Sequence, residues 1–384
     1  MRNLSSGLLA TSPIDIDGNG RIDALLIVVI ILMWGLGVFT LNIASSGAAS
    51  KMFDDSFYFV KRQFIFSALG LATLLLFTAV PTATIRKALP AIVFLSFVLC
   101  FLVFVPGLGI ERNGAKRWLK LPFFGTLQPS ETAKLAVVLF LANMFAKQKD
   151  EDPDAVISVS NPIIGLLTFV IMVLFQKDFS TAMFLLCLGI ILFFAVGMRI
   201  GWFLSFCILA IPALMLFIFM EPYRVNRLIA FVRPDYDLHG LNYQTNMSRL
   251  AIGAGGFWGE GVGSNLTRIG RVPEIQADYI FSGWAEAMGF AGVIMYFVIL
   301  FLFAWRGFRA AFLARERFTS FAAFGCTLSI VFQAIINCGV VCSAFPSTGM
   351  PLPFFSSGGS SLLITCAMCG IILQASRSQK GAAL

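Results

Sequence analysis

Long apolar runs, separated by charged or Pro/Gly-rich breaks, lie near residues 24–45, 63–81, 88–106, 131–147, 162–176, 180–197, 201–220, 280–305, 319–342 and 358–376. A helix needs roughly 20 apolar residues to cross a bilayer, and these runs are close to that length. None alternates at period two as a membrane barrel strand does, and backbone polar groups must be paired inside lipid, so the runs are read as helices. The pattern predicts an all-α, polytopic integral membrane protein with about ten transmembrane helices. A long extracytoplasmic loop, 221–279, separates helices 7 and 8. One membrane domain, residues 23–376, is expected between cytoplasmic segments 1–22 and 377–384, with both ends on the same side. The first apolar run is longer than a signal-peptide core and lacks a small-residue cleavage site, so it is expected to stay as an anchor.

Composition agrees with this reading. With 58% hydrophobic and 12% charged residues and a mean hydropathy of +0.86, the chain is too apolar for a soluble domain. Membrane lipids are its expected surroundings, and no nucleic acid is expected as a partner. All eight cysteines fall within apolar windows and read as small buried hydrophobes; with His239 the only histidine, no zinc site is expected. The net charge of +8 complicates the topology. Lysine and arginine normally gather in short cytoplasmic loops, and 306–317, with Arg306, Arg309, Arg315 and Arg317, is the best such loop. The loops 107–127 and 221–279 then face outward although they carry Arg112, Lys116, Arg117, Lys120, Arg224, Arg227, Arg233, Arg249, Arg268 and Arg271. Either the orientation is reversed or these cations meet something anionic.

Two motifs are weak. Asp15, Asp17, Asn19, Gly20 and Asp23 copy the start of an EF-hand loop, but its twelfth position is Leu26 rather than a bidentate glutamate, so a helix-capping entry segment is expected. The glycines from Gly253 to Gly263 have no preceding strand of a βαβ unit and are read as a folded or re-entrant loop packing closely on helices.

Polar residues at membrane depth are costly and therefore functional candidates. Glu131 and Lys134, three apart at the start of the fourth span, can pair as a structural unit or as part of a substrate cavity. Asp178 suits an N-cap. Asp278, before an apolar helix and beneath an arginine-rich loop, is either a general base or the cap of that helix. Glu274 and Glu286 are the other carboxylates near this helix end, and Glu286 suits orientation or pairing. The stretch Pro346 to Ser361 breaks helix and either lines an anion cavity or only turns the chain.

Together, several motifs resemble the SEDS family of shape, elongation, division and sporulation proteins. They are Asn113-Gly114-Ala115-Lys116-Arg117-Trp118-Leu119, Gln128-Pro129-Ser130-Glu131 with Lys134, and Tyr223-Arg224 with Arg227. Tyr243-Gln244, Pro273-Glu274 with Asp278-Tyr279-Ile280-Phe281, and Pro351-Leu352-Pro353-Phe354 with Gly358-Gly359-Ser360-Ser361 follow in the family's order. Ile336 to Val341 and Ser347-Thr348-Gly349 are more similar to the division branch than to the elongation branch. The resemblance implies a peptidoglycan glycosyltransferase that polymerises lipid II at the outer face of the bacterial cytoplasmic (inner) membrane, with the division septum as its place of work. It implies Asp278 as the catalytic base and Trp118 as needed for activity. Candidate substrate contacts are Arg117, Trp118, Glu131, Lys134, Arg224, Arg227, Tyr243, Gln244, Glu274 and Ser356. No protein-held metal is expected, although a divalent cation, Mg or Mn, is compatible with a pyrophosphate substrate. The implied partners are lipid II, a class B penicillin-binding transpeptidase resembling FtsI, and other divisome membrane proteins. The sequence departs from the family at Lys177, usually proline, at Ala287, in place of the second of two glutamates, and at Ser357, in place of tyrosine. Three rivals remain: a flippase for the same lipid-linked substrate, a RodA-like elongation polymerase, and a division scaffold with an inert cavity.

Overall fold

A computed structural model describes residues 22–112, 114–121, 125–152, 158–198, 217–233, 242–262 and 272–377, together with residues 201, 208, 215 and 240. The EF-hand-like residues 15–20, His239, Arg268, Arg271 and most of the predicted seventh span lie outside them. Among the described residues, six helices are long and apolar enough to span a membrane: α1 (Ala24–Phe53), α2 (Tyr58–Ala79), α3 (Thr82–Leu102), α9 (Ile280–Leu313), α10 (Arg317–Val341) and α11 (Gly359–Arg377). The fourth predicted span is α4 (Pro129–Glu151), with Pro129 in its first turn, where its missing N–H costs nothing. The fifth and sixth are the shorter apolar helices α5 (Ser160–Phe175) and α6 (Phe179–Ala195).

The bundle has two ends. At the first, Asp23 caps α1 by accepting from Leu26 N at 3.1 Å, and its other oxygen accepts from Arg306 Nε at 2.7 Å. Asp23 N donates to Ser376 Oγ at 3.2 Å. The start of α1, the end of α11 and the 306–317 segment therefore share one end, as the sequence predicted. At the other end sit the described residues of the segments 103–128, 221–262 and 342–358. Helix α11 is the most interior span, with 83% of its apolar window buried, whereas 17% of α2 and 22% of α3 are buried, leaving broad apolar faces for lipid.

Two features of this second end depart from the predicted loops. Residues 109–127 form a three-stranded antiparallel sheet, β1 (Gly109–Arg112), β2 (Ala115–Leu121) and β3 (Gly125–Leu127). The long 221–279 loop contains two helices, α7 (Pro222–Val232) and α8 (Tyr243–Ala254).

Helix α9 is not continuous. Gly289 takes φ 64° and ψ −164°, which breaks the helical ladder nine residues in. The segment after α8 repairs the break: Glu260 N and Gly261 N donate to the carbonyls of Glu286 and Ala287 at 3.0 and 3.1 Å. In return, Phe290 N and Ala291 N donate to Gly256 and Phe257 at 2.9 and 3.0 Å. Non-helical backbone at membrane depth survives only with such internal partners. A Cβ on Gly259 would stand 2.2 Å from Ala287 O, and one on Gly289 2.3 Å from Gly259 N. The close packing that the sequence suggested for the glycine series is met at Gly255 and Gly259, whereas Gly253, Gly256 and Gly261 have open space around them.

Candidate active site

Asp278 lies in the short loop between Val272 and α9. The residue at the helix cap is Tyr279, and no side chain caps it, so the capping role expected as one option for Asp278 is not what the structure shows. Its backbone is instead tied on both sides: its N–H donates to Glu274 O at 3.2 Å, and its carbonyl accepts from Asn337 Nδ2 at 2.8 Å. Gly349, at φ 71°, faces the carboxylate, and a Cβ there would be 3.3 Å from Asp278 Oδ2. Among the described residues no hydrogen bond reaches that carboxylate. Burial, reinforced by the negative charge of Glu274, pushes Asp278 up to about 6, while Arg227 and Arg117 pull it down and Asp178 adds slightly to the rise. A carboxylate with this affinity is ionised at neutral pH yet basic enough to accept a proton.

Gly349 belongs to a turn whose Thr348 and Met350 line a cavity of about 210 Å³. Arg117, Arg224 and Arg227 converge on it from β2 and α7, and its apolar wall includes Phe179, Met183, Phe184, Phe332 and Ile336. Each arginine is held differently. Arg117 is the extra residue of a β-bulge, since Ile110 pairs with Trp118 and Glu111 with Lys116. Bulges re-aim side chains next to functional sites, and here the guanidinium reaches the carbonyl of Lys177. Arg117 Nε is buried with no hydrogen-bond partner among the described residues. Arg224 lies 4.0 Å over the Phe217 ring, and Arg227 donates to Ser347 O at 2.7 Å. Lys177 has φ 59°, which a proline could not adopt, so its departure from the family pattern is matched by its backbone.

Arg227, Pro346 and Ser347 also line a second, polar cavity of about 170 Å³, shared with Asn226, Gln244 and Arg249. Of the residues singled out in the sequence, Arg117, Arg224, Arg227 and Gln244 therefore gather around two adjoining cavities. Trp118, Tyr243, Glu274, Glu131, Lys134 and Ser356 do not line them. Glu274, at φ 50°, accepts from Gln276 at 3.1 Å. The Ser356 hydroxyl accepts from Leu352 N at 2.8 Å inside its own turn. Glu131 and Lys134 form a buried ion pair at 2.7 Å, and Lys134 also donates to Gln333 Oε1 at 2.6 Å. Asp178 caps α6 through Thr181 N at 3.4 Å, as expected, and also accepts from Ser130 and Gln128. Glu286 is fully buried. Gln333 and Asn337 were missed from sequence; the available signal was a pair of amides four apart inside an apolar span.

Among the described residues no three His, Cys, Asp or Glu side chains could together hold a metal ion. All seven described cysteines are free, five of them buried.

A helical membrane bundle whose turns at one end bring a part-buried carboxylate beside a cation-lined, mostly apolar cavity defines the class of protein. The chain belongs to the FtsW/RodA/SpoVE family, described as cell cycle proteins, whose model matches residues 23–381. It is 33% identical over 361 residues to a probable peptidoglycan glycosyltransferase FtsW of Geobacter sp. (strain M18), covering 94% of this chain and 98% of that one. It is 33% identical over 356 residues to stage V sporulation protein E of Bacillus subtilis (strain 168), covering 92% and 97%. In fold it is similar to a chain of a peptidoglycan synthase complex solved for the coordination of polymerization and crosslinking (TM-score 0.74, 27% identity, 94% and 98% covered). It is also similar to the rod shape determining protein RodA of Thermus thermophilus (TM-score 0.66, 25% identity, 94% and 99% covered).

Proposed function

We propose that this chain is an inverting peptidoglycan glycosyltransferase that polymerises lipid II, the undecaprenyl-pyrophosphate-linked disaccharide-pentapeptide. The observation that carries the reading is the Asp278 carboxylate set against Gly349, on the turn that lines the arginine cavity. In the reaction, the acceptor's sugar 4-hydroxyl gives its proton to Asp278 as its oxygen bonds to the donor's anomeric carbon. The bond from that carbon to the pyrophosphate breaks, its electron pair leaves with undecaprenyl pyrophosphate, and the α-linkage becomes β. Arg117, Arg224 and Arg227 suit the leaving pyrophosphate, because guanidinium forks bind such oxygens in pairs. The cavity's aromatic and aliphatic wall suits the first units of the polyprenyl chain. Magnesium usually binds through one or two carboxylates and substrate phosphates, and the described residues form no resident metal cage, so no step is assigned to a metal.

The same reading places the chain in the bacterial inner membrane, at the septum, beside a class B penicillin-binding transpeptidase that crosslinks the strands. It is supported by the FtsW name carried by relatives that match over nearly the whole chain and by the synthase complex among its structural neighbours. The test is glycan formation from purified lipid II in detergent with the transpeptidase present, comparing the parent with Asp278→Asn. Polymer from the parent and none from the folded variant is the expected result. Silence from both, with lipid II crossing liposome bilayers, would replace the transferase by a flippase.

A further inference from the structure

Gln333 and Asn337 stand one turn apart on the same face of α10, and both are buried, at 4% and 1% exposure. Their amides meet the backbone at the candidate active site. Asn337 Nδ2 donates to Asp278 O at 2.8 Å and to Met350 O at 2.7 Å. Gln333 Nε2 donates to Pro351 O at 2.8 Å while its Oε1 accepts from Lys134 Nζ at 2.6 Å. The orientation of both amides is fixed by chemistry: carbonyls only accept and an ammonium only donates. Lys134 is anchored in turn by Glu131 at 2.7 Å. A directed chain therefore runs from the ion pair on α4, through α10, to the 349–351 turn and to the peptide of Asp278.

We propose that Gln333 and Asn337 are positioning residues: they lock the Asp278 peptide to the Gly349–Pro351 turn, so that the carboxylate and the cavity wall keep one relative placement. The inference rests on the transferase reading above. The leverage is geometric, since a displacement of about 1 Å at a reacting group costs on the order of 100-fold in rate. The competing explanation is that the amides only satisfy buried carbonyls in a proline-rich turn. That explanation predicts less folded protein and unaltered proton chemistry. The charged groups that act on Asp278 are Glu274, Arg227, Arg117 and Asp178. None is changed by substituting the amides, so a moved pH profile would report the placement of Asp278 itself.

The experiment measures lipid II polymerisation by the full chain with its transpeptidase, over substrate concentration and pH, for the parent, Asn337→Ala, Gln333→Met and the double variant. The expected result is a kcat lower by about 10- to 100-fold with KM held within about twofold. In Asn337→Ala the acid limb of kcat moves to lower pH, because an Asp278 peptide released from the turn carries its carboxylate out of its buried placement toward water. The double variant is expected to be no worse than the poorer single, since both amides hold one turn. Parent-like kcat in either folded variant overturns the proposal. So does a reduced kcat that tracks the folded fraction in thermal melts and leaves the pH limb unmoved. Gln333→Met preserves volume and carries the same test if Asn337→Ala does not fold. A silent parent removes the transferase reading and this inference with it, whereas an active parent with unaffected variants removes only the inference.

Discussion

On the transferase reading, Asp278 couples stability and activity in opposite directions. Its affinity for a proton is raised from 3.8 to about 6 in the folded protein, chiefly by burial. Between those values the folded state binds more protons than the unfolded one, so the stability contributed by this group is present at low pH and lost as pH rises through about 6. Asparagine never ionises, so Asp278→Asn is expected to melt at a higher temperature than the parent at about pH 8 and equally at about pH 4. The variant loses at least about 100-fold in polymerisation, and the parent's kcat falls as pH drops through about 6. Melting curves at the two pH values and a rate profile check this; a variant that melts lower at pH 8 contradicts the burial argument. Glu131 and Lys134 behave as a unit. Glu131→Gln leaves a buried ammonium without its carboxylate, a loss of about 3–5 kcal/mol. Glu131→Gln combined with Lys134→Met removes the orphaned charge and recovers most of it. Equal melting of the single and double variants would show that the pair is not the source of the loss.

At the scale of elements, the six long apolar helices were legible because length and apolarity alone mark a membrane helix. The break within α9 was not, since Gly289 sits in an unbroken apolar run and its φ of 64° is set by the distant segment 256–261. The sheet also escaped notice: β1 and β3, of 4 and 3 residues, give little periodic signal, and the bulge at Arg117 interrupts the alternation of the seven-residue β2. The bulge that frees Arg117 exists only in the pairing of β1 with β2. The glycines can be separated by what surrounds them. Gly259→Ala drives a methyl to 2.2 Å from Ala287 O at a φ of 86°, and is expected to cost more than about 2 kcal/mol by opening the latch across the α9 break. Gly253 has nothing within 4 Å and lies inside α8, so Gly253→Ala is expected to stabilise by about 0.5–1 kcal/mol. Thermal melts of the two variants decide between a close-packing segment and a merely pliable one; a neutral Gly259→Ala would rule out the close packing.

The whole molecule explains why cations gather at the second end against the usual bias. Arg117 and Arg224 are more than a hundred residues apart in the chain, and no local pattern could show that they share a cavity. What the sequence did show was their common side, through the even count of spans and the Arg-rich 306–317 segment. The structure gathers Asp23, Arg306 and Ser376 at one end, and Arg117, Arg227, Asp278 and Ser347 around the site at the other. If lysines and arginines at the second end serve an anionic substrate, the cytoplasmic end must be the one bearing 306–317. Single cysteines introduced into a chain cleared of native cysteines test this in intact cells. Lys116→Cys and Lys120→Cys, both exposed at the second end, should react with a membrane-impermeant maleimide from outside. Arg315→Cys, exposed at the first end, should react only after permeabilisation. The reverse pattern would put the arginine cavity in the cytoplasm, where an outer-face polymerase could not use it. With that orientation the same cations and carboxylate would have to serve lipid-linked chemistry before the substrate crosses the membrane, so the labelling result constrains the function as well as the topology.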